Sequence, residues 1–121
     1  MSGLFDAAWF DDLRRRLRAI GPLGAGGPRL SLGQIVHGTP DGTVSWTLHV
    51  GAGEDASVQD GVSDAQVTLV EDFQTATLLQ AGTPTSDLLY SGKVKVTGDV
   101  DALLRGADVL TQLNAALNDI A

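Results

Sequence analysis

The sequence predicts an α+β fold, a five-stranded, mostly antiparallel sheet with helices packed on one of its faces. Three observations predict it. The stretch Thr43–Val50 alternates strictly, with Val44, Trp46, Leu48 and Val50 on one side and Ser45, Thr47 and His49 on the other. Such alternation marks a strand with one covered and one open face. The same two-residue period returns in Asp64–Leu69 and Gly92–Asp99. Segments near both ends, and one between these strands, instead space apolar side chains three and four residues apart, which makes helices able to supply the cover.

The elements follow in order. Leu4–Ile20 is an amphipathic helix whose stripe is Phe5, Trp9, Leu13, Leu17 and Ile20. Asp6 lies near its start and Arg14, Arg15, Arg16 and Arg18 near its end, an order that suits the helix dipole. The arginine run reads as a solvated face rather than a phosphate patch. Gly21–Pro28 is a Gly/Pro loop; no strand precedes it and no Lys-Ser/Thr follows, so it lacks the context of a phosphate cradle. Leu30–Val36 is a first strand whose phase shifts at Gly33, from Leu30 and Leu32 to Ile35, which suggests a bulge. Pro40-Asp41-Gly42 turns it into the second strand, Thr43–Val50.

After a turn at Gly51–Asp55, Ala56–Gln59 is a short third strand, and Asp60-Gly61 leads towards the fourth, Ala65–Val70. Glu71–Ala81 is a helix, acidic at its start, with Gly82 and Pro84 past its end. Asp87–Ser91 is an amphipathic turn, and Gly92–Asp99 is the fifth strand, with Val94 and Val96 towards the covered face and Lys93 and Lys95 towards water. Asp99 can cap a short helix carrying Leu103 and Leu104. Beyond Gly106, Asp108 can cap a last helix with the stripe Leu110, Leu113, Leu117 and Ile120.

Composition narrows the function classes. A chain of 121 residues fits one domain, 1–121, in which residues 1–28 are the N-terminal helix and its Gly/Pro loop. Hydrophobic residues make up 43%, enough for a core. There is no Cys, which excludes disulfides and thiolate metal sites. The formal net charge of −7 opposes phosphate backbones, so nucleic acid is not an expected partner. The same field disfavours anionic membrane surfaces, and no run has the length of a membrane span, so no stable membrane insertion is expected. The N-terminus lacks a secretory pattern, which predicts a cytoplasmic protein. Arg outnumbers Lys six to two among many Ala, Gly and Asp, a composition suggestive of a GC-rich bacterial genome.

Four pieces in order resemble the sterol carrier protein-2 family of small non-specific lipid-transfer domains. Ala65-Gln-Val-Thr-Leu69, followed by acidic residues and a helix, is similar to one of its strands. Ala81-Gly82-Thr-Pro84 is similar to its turn, and Gly92-Lys-Val-Lys-Val-Thr-Gly-Asp99 to the strand that is its most specific piece. Upstream, Val44-Ser-Trp46-Thr-Leu48 resembles its Trp-bearing strand. The match runs from about Leu30 to the C-terminus. The resemblance implies an apolar tunnel or cavity between sheet and helices, closed by the C-terminal helices. It also implies a fold that occurs fused to, or beside, enzymes such as thiolases and sulfatases.

Catalytic signals are missing. His37 and His49 have no spacing that would join them at a metal, and no Ser sits in a Gly-x-Ser-x-Gly elbow. Glu54, Asp55, Asp60 and Asp64 fall in adjacent turns without the pattern of a calcium loop. No enzyme activity and no cofactor are therefore expected. Phe73, Ala76, Leu79, Leu88, Leu89 and Tyr90, with Leu103, Leu104, Leu110, Leu113 and Leu117, are the candidate interior. By periodicity they are ordinary core; by the resemblance they, with Trp46, Val94 and Val96, line a ligand tunnel, where Tyr90, Trp46 or the helix start near Asp99 could touch the ligand's head.

The expected function is binding of a hydrophobic ligand (fatty acid, acyl-CoA, sterol-like or other lipid) for transport or presentation. The alternatives are an accessory subunit of a lipid- or sterol-metabolising enzyme and a ligand-free scaffold, whose Leu88–Tyr90 would seal a homodimer. Energetics make the carrier reading testable. A dry void of ~300 Å³ would cost ~7 kcal/mol at ~24 cal/mol per Å³. A domain's whole stability is only ~5–15 kcal/mol.

Overall fold

Turn chemistry decides where the sheet folds back on itself. In a computed structural model, which describes residues 7–80 and 91–119 less the side chains at 79, 80, 114 and 117–119, Pro40 and Asp41 form a two-residue reversal. The Thr39 hydroxyl donates to the Gly42 carbonyl at 2.6 Å and accepts from the Asp41 N–H at 3.2 Å. This closes a hairpin of β2 (Arg29–Thr39) and β3 (Gly42–Gly51), antiparallel from Arg29↔Gly51 to Thr39↔Gly42. β4 (Glu54–Asp60) returns antiparallel along β3, and β1 (Pro22–Leu23) adds to its outer edge. On the other side of β2, β5 (Val67–Asp72) runs parallel to it, and β6 (Lys95–Gly98) runs antiparallel to β5. The order across the sheet is β1-β4-β3-β2-β5-β6.

The sheet thus has six strands among the described residues rather than five. The extra one, β1, lies inside the Gly/Pro segment read from sequence as a loop; two residues are too short to show a period. The third strand is longer than Ala56–Gln59 predicts, while the strand expected over Gly92–Asp99 is paired only from Lys95 to Gly98.

Gly33 is not a bulge. The register is unbroken from Arg29↔Gly51 to Val36↔Val44, and the irregularity falls between Val36 and Thr39. Gln34 and Val36, not Ile35, therefore continue the face of Leu30 and Leu32. Gly33 is required by close approach. A Cβ there would lie 2.8 Å from Ala65 Cβ, 2.9 Å from Thr68 Oγ1 and 3.0 Å from Val62 Cγ1. These neighbours come largely from the crossover between β4 and β5, which passes over the open face of the sheet. It is tied down by Thr47, whose hydroxyl donates to the Gly61 carbonyl at 2.6 Å, and by Gln66, whose N–H donates to the Ser31 carbonyl at 2.9 Å.

The helices cover the opposite face. α1 (Ala7–Ile20) packs on β4, with Leu17 buried in the core. Its Trp9 and Phe10 meet Trp46 of β3 edge to face, at centroid distances of 6.0 and 5.3 Å. Arg16 pairs with Asp12 on the helix's own exposed face at 3.0 Å, and Arg14 lies between Asp11 of the same face at 3.9 Å and Asp60 of β4 at 3.7 Å, all at the solvated side of the helix. α2 (Phe73–Gln80) begins two residues later than predicted, because Asp72 is its cap: the Asp72 carboxylate accepts from the Thr75 N–H at 2.7 Å.

Asp99 caps α3 (Val100–Arg105) as expected, accepting from the Ala102 N–H at 3.1 Å. α4 (Ala107–Asp119) follows at once. Asp108 does not cap it but lies inside its first turn, because the chain passes from α3 to α4 without an extended residue between them. Two apolar clusters result. The larger joins Leu30, Leu32, Val50, Val67 and Leu69 to Leu17, Val94, Ala102, Val109 and Leu113. The smaller joins Val36, Trp46 and Ala76, with Trp9, Phe10, Val44 and Phe73 against them.

Candidate functional site

The sheet register arranges the covered face in rows. One row runs Leu48–Leu32–Val67–Gly98 from β3 to β6, and the next runs Trp46–Gln34–Leu69–Val96. The row after that is Val44–Val36–Glu71. Two polar side chains therefore interrupt an apolar surface on the central strands, Gln34 and Glu71. Gln34 is half-buried. Glu71 is 3% exposed, and neither carboxyl oxygen has a hydrogen-bond partner among the described residues.

Burial pushes the Glu71 carboxyl up from 4.5 to about 7, and the charge of Asp72 adds to the effect. Asp72 behaves in the opposite way. The Thr75 backbone N–H, and then the Thr75 hydroxyl, hold it below its usual range. Neighbouring carboxylates thus have different roles. Asp72 points to the helix start, and Glu71 belongs to the face beneath the helices.

The residues expected to line a ligand site are partly brought together. Trp46, Ala76, Val94 and Leu113 are buried. Ala76 and Phe73 share the smaller cluster with Trp46; Val94, Val96, Leu103, Leu110 and Leu113 belong to the larger one. Leu104 is a correction. It is 68% exposed, because α3 turns Ala102 and Leu103 inwards and leaves the next position to solvent. Leu88, Leu89 and Tyr90 lie outside the described residues, as do the side chains of Leu79 and Leu117. Val109, Ala102 and Glu71 were not among the expected residues. Val109 sits one position before the predicted stripe of α4. Glu71 is the next step of the alternation Val67, Leu69, but its acidic character and the Phe73 helix after it read as a helix start.

Depressions on the described surface include one on each side of the sheet. The larger, about 510 Å³, lies on the open face and is polar, lined by Arg29, Ser31, His49, Ser57, Gln59, Asp64 and Gln66. A hydrogen-bonded chain crosses it. The Gln59 amide donates to Asp64 Oδ2 at 3.0 Å, so its oxygen accepts from His49 Nε2 at 3.0 Å, and His49 Nδ1 is left to accept from the Ser31 hydroxyl at 2.9 Å. A serine hydroxyl on an imidazole has the geometry of a nucleophile and its base. Here the Ser31 N–H donates to Gln66 Oε1 at 3.0 Å and is not free to stabilise an oxyanion. The chain acts as a tie for the crossover. The smaller depression, about 160 Å³, lies between α1 and β4 and is lined by Arg14, Leu17, Arg18, Ala56, Ser57 and Val58. Neither is an enclosed apolar tunnel. The described apolar side chains of the covered face pack against one another instead. No group of three His, Asp or Glu side chains that could hold a metal occurs among the described residues.

This architecture matches solved structures over its whole length. A crystal structure of sterol carrier protein 2 superposes with a TM-score of 0.65 at 21% identity, covering 98% of this chain and 100% of that one. The chain has the sterol carrier protein 2 fold. A conserved hypothetical protein of Thermus thermophilus matches with a TM-score of 0.60 at 22% identity, over 100% of this chain and 93% of its own. The palmitated sterol carrier protein 2-like 2 of Aedes aegypti matches with a TM-score of 0.59 at 21% identity, over 82% of this chain and 87% of that one. No protein-family model and no curated protein matches the sequence. In the sterol carrier protein 2 fold, the covered face with Glu71 and Gln34 is the surface between sheet and helices. No helix among the described residues is long and apolar enough to cross a membrane.

Proposed function

We propose that this chain is a non-catalytic carrier that binds a hydrophobic small molecule between the covered face of the sheet and the helices. The ligand class is a lipid, such as a fatty acid, an acyl-CoA or a sterol-like molecule, held for transport or presentation. One observation carries the reading: the end-to-end match to sterol carrier protein 2, whose relative in Aedes aegypti was solved in palmitated form. The covered face is consistent with it, since rows of Val, Leu and Trp side chains can exchange contacts with each other for contacts with an acyl chain. Burying ten methylenes is worth ~8 kcal/mol at ~0.8 kcal/mol each, before the cost of association. Such binding needs no nucleophile, no metal and no cofactor.

Native mass spectrometry of the purified protein, followed by solvent extraction, tests this reading. The expected result is a discrete added mass that disappears on extraction and returns on adding lipid. A protein of bare mass that takes up no fatty acid, acyl-CoA or sterol would overturn it.

A further inference from the structure

Glu71 is a polar group with no local employment. It is a strand residue, opposite Val36 and next to the row of Trp46, Gln34 and Leu69. It does not cap α2, because Asp72 does. Among the described residues it forms no ion pair, and both of its oxygens are buried without a hydrogen-bond partner. Buried polar groups are hydrogen-bonded in the great majority of folded proteins, so an orphan of this kind needs an occupant. The side chain belongs to the face on which the carrier reading places the ligand, and the inference that follows rests on that reading.

We infer that Glu71, with Gln34 beside it, receives the polar end of the bound lipid and selects a head that donates a hydrogen bond, a hydroxyl or an ammonium, over a carboxylate head. The chemistry is one of complementarity. A carboxyl group keeps an acceptor oxygen whether or not it is protonated, so a donor head satisfies it in either state. A carboxylate head brings only acceptors. Beside ionised Glu71 it would have to lose its water next to a second carboxylate, where like charges oppose each other; it is accommodated only if Glu71 holds a proton and donates its O–H, which above about pH 7 costs the proton that Glu71 would otherwise release. Gln34 has both an amide donor and an oxygen acceptor and can serve the remaining lone pair or hydrogen of a hydroxyl. The desolvation that raises Glu71 towards neutral pH is consistent with a group built to meet a partner rather than water.

Three ligands with one acyl chain and different heads separate the possibilities: lauryl alcohol, laurylamine and laurate, bound to the delipidated full chain at pH 8.5, where Glu71 is ionised, and followed by native mass spectrometry. The alcohol or the amine should bind about tenfold more tightly than laurate, the ratio that one well-made hydrogen bond to a buried acceptor supplies. The leader of the two identifies the head as hydroxyl or ammonium. In Glu71→Gln the preference over laurate should fall to within about twofold, because the amide offers a donor as well as an acceptor. In the unchanged protein, the side-chain carboxyl carbon of Glu71 should shift in NMR on adding the preferred ligand, which keeps the test independent of the variant's folding. Laurate bound as tightly as the other two, or a preference that survives Glu71→Gln, would overturn the inference and leave the carrier reading standing. Failure of all three ligands to bind would overturn both.

Discussion

Glu71 contributes a pH dependence of definite sign to stability. Its carboxyl is raised from 4.5 to about 7 on folding, first by burial and then by the charge of Asp72. Between these values the folded chain holds a proton that the unfolded chain has released, so stability falls as pH rises. The contribution is fully present below about 4.5 and gone above about 7; at ~1.4 kcal/mol per pH unit it amounts to about 3 kcal/mol. Asp72 works the other way, since its carboxylate is held below its usual range and its contribution is lost only in acid. Urea unfolding at pH 5 and pH 8 should therefore show the protein about 2.5 kcal/mol less stable at the higher pH, and Glu71→Gln should remove most of that difference. An unchanged slope in the variant would place the effect elsewhere. At this scale the sequence was legible wherever side-chain character and position agree, as at Trp46 and Val94. It misled at Glu71, where a charged residue occupies a buried position, and at Leu104, where an apolar residue is left in solvent.

Among the elements, β3 was the easiest to read, because strict alternation and the Pro-Asp-Gly turn before it both act between sequence neighbours. The crossover from β4 to β5 was not legible. It brings β5 against β2 in parallel, and that pairing is decided by contacts far apart in the chain. Gly33 shows the consequence. The sequence offers the same glycine for a bulge or for close approach, and only the passage of Val62 and Ala65 over the sheet decides between them. Gly33→Ala should cost about 1–3 kcal/mol in unfolding free energy, because the new methyl overfills a site whose neighbours lie within 3.0 Å. At the other end of the sheet, Asp99→Ala removes the acceptor of the Ala102 N–H and should cost about 1 kcal/mol, with the first turn of α3 losing hydrogen-exchange protection. Gly106 makes a second close contact of the kind seen at Gly33. A Cβ there would meet the Leu30 side chain at 2.7 Å, so the α3–α4 junction can lie directly on β2 only with glycine at that position.

The whole molecule joins these local rules into one device. Among the described residues, six strands present a face of Val, Leu and Trp, four helices cover it, and the opposite face is closed in part by the crossover and its Ser31–His49–Gln59–Asp64 tie. The helices and strands are held together mainly through that one apolar layer, so a ligand entering it would act on the stability of the entire chain rather than on one loop. A lipid that binds only the folded state adds about 2.7 kcal/mol at a hundred times its Kd, which for a domain of this size raises Tm by roughly 10 °C. Delipidated protein should therefore melt at a distinctly lower temperature than the same protein restored with its preferred lipid, in a single transition measured by calorimetry. The α1 aromatics that rest on Trp46 should report the same event, since Trp9 and Trp46 lie where the cover meets the sheet. Equal melting temperatures before and after lipid addition, with unchanged Trp fluorescence, would mean that the apolar layer is a filled core, and that the fold serves here as a scaffold.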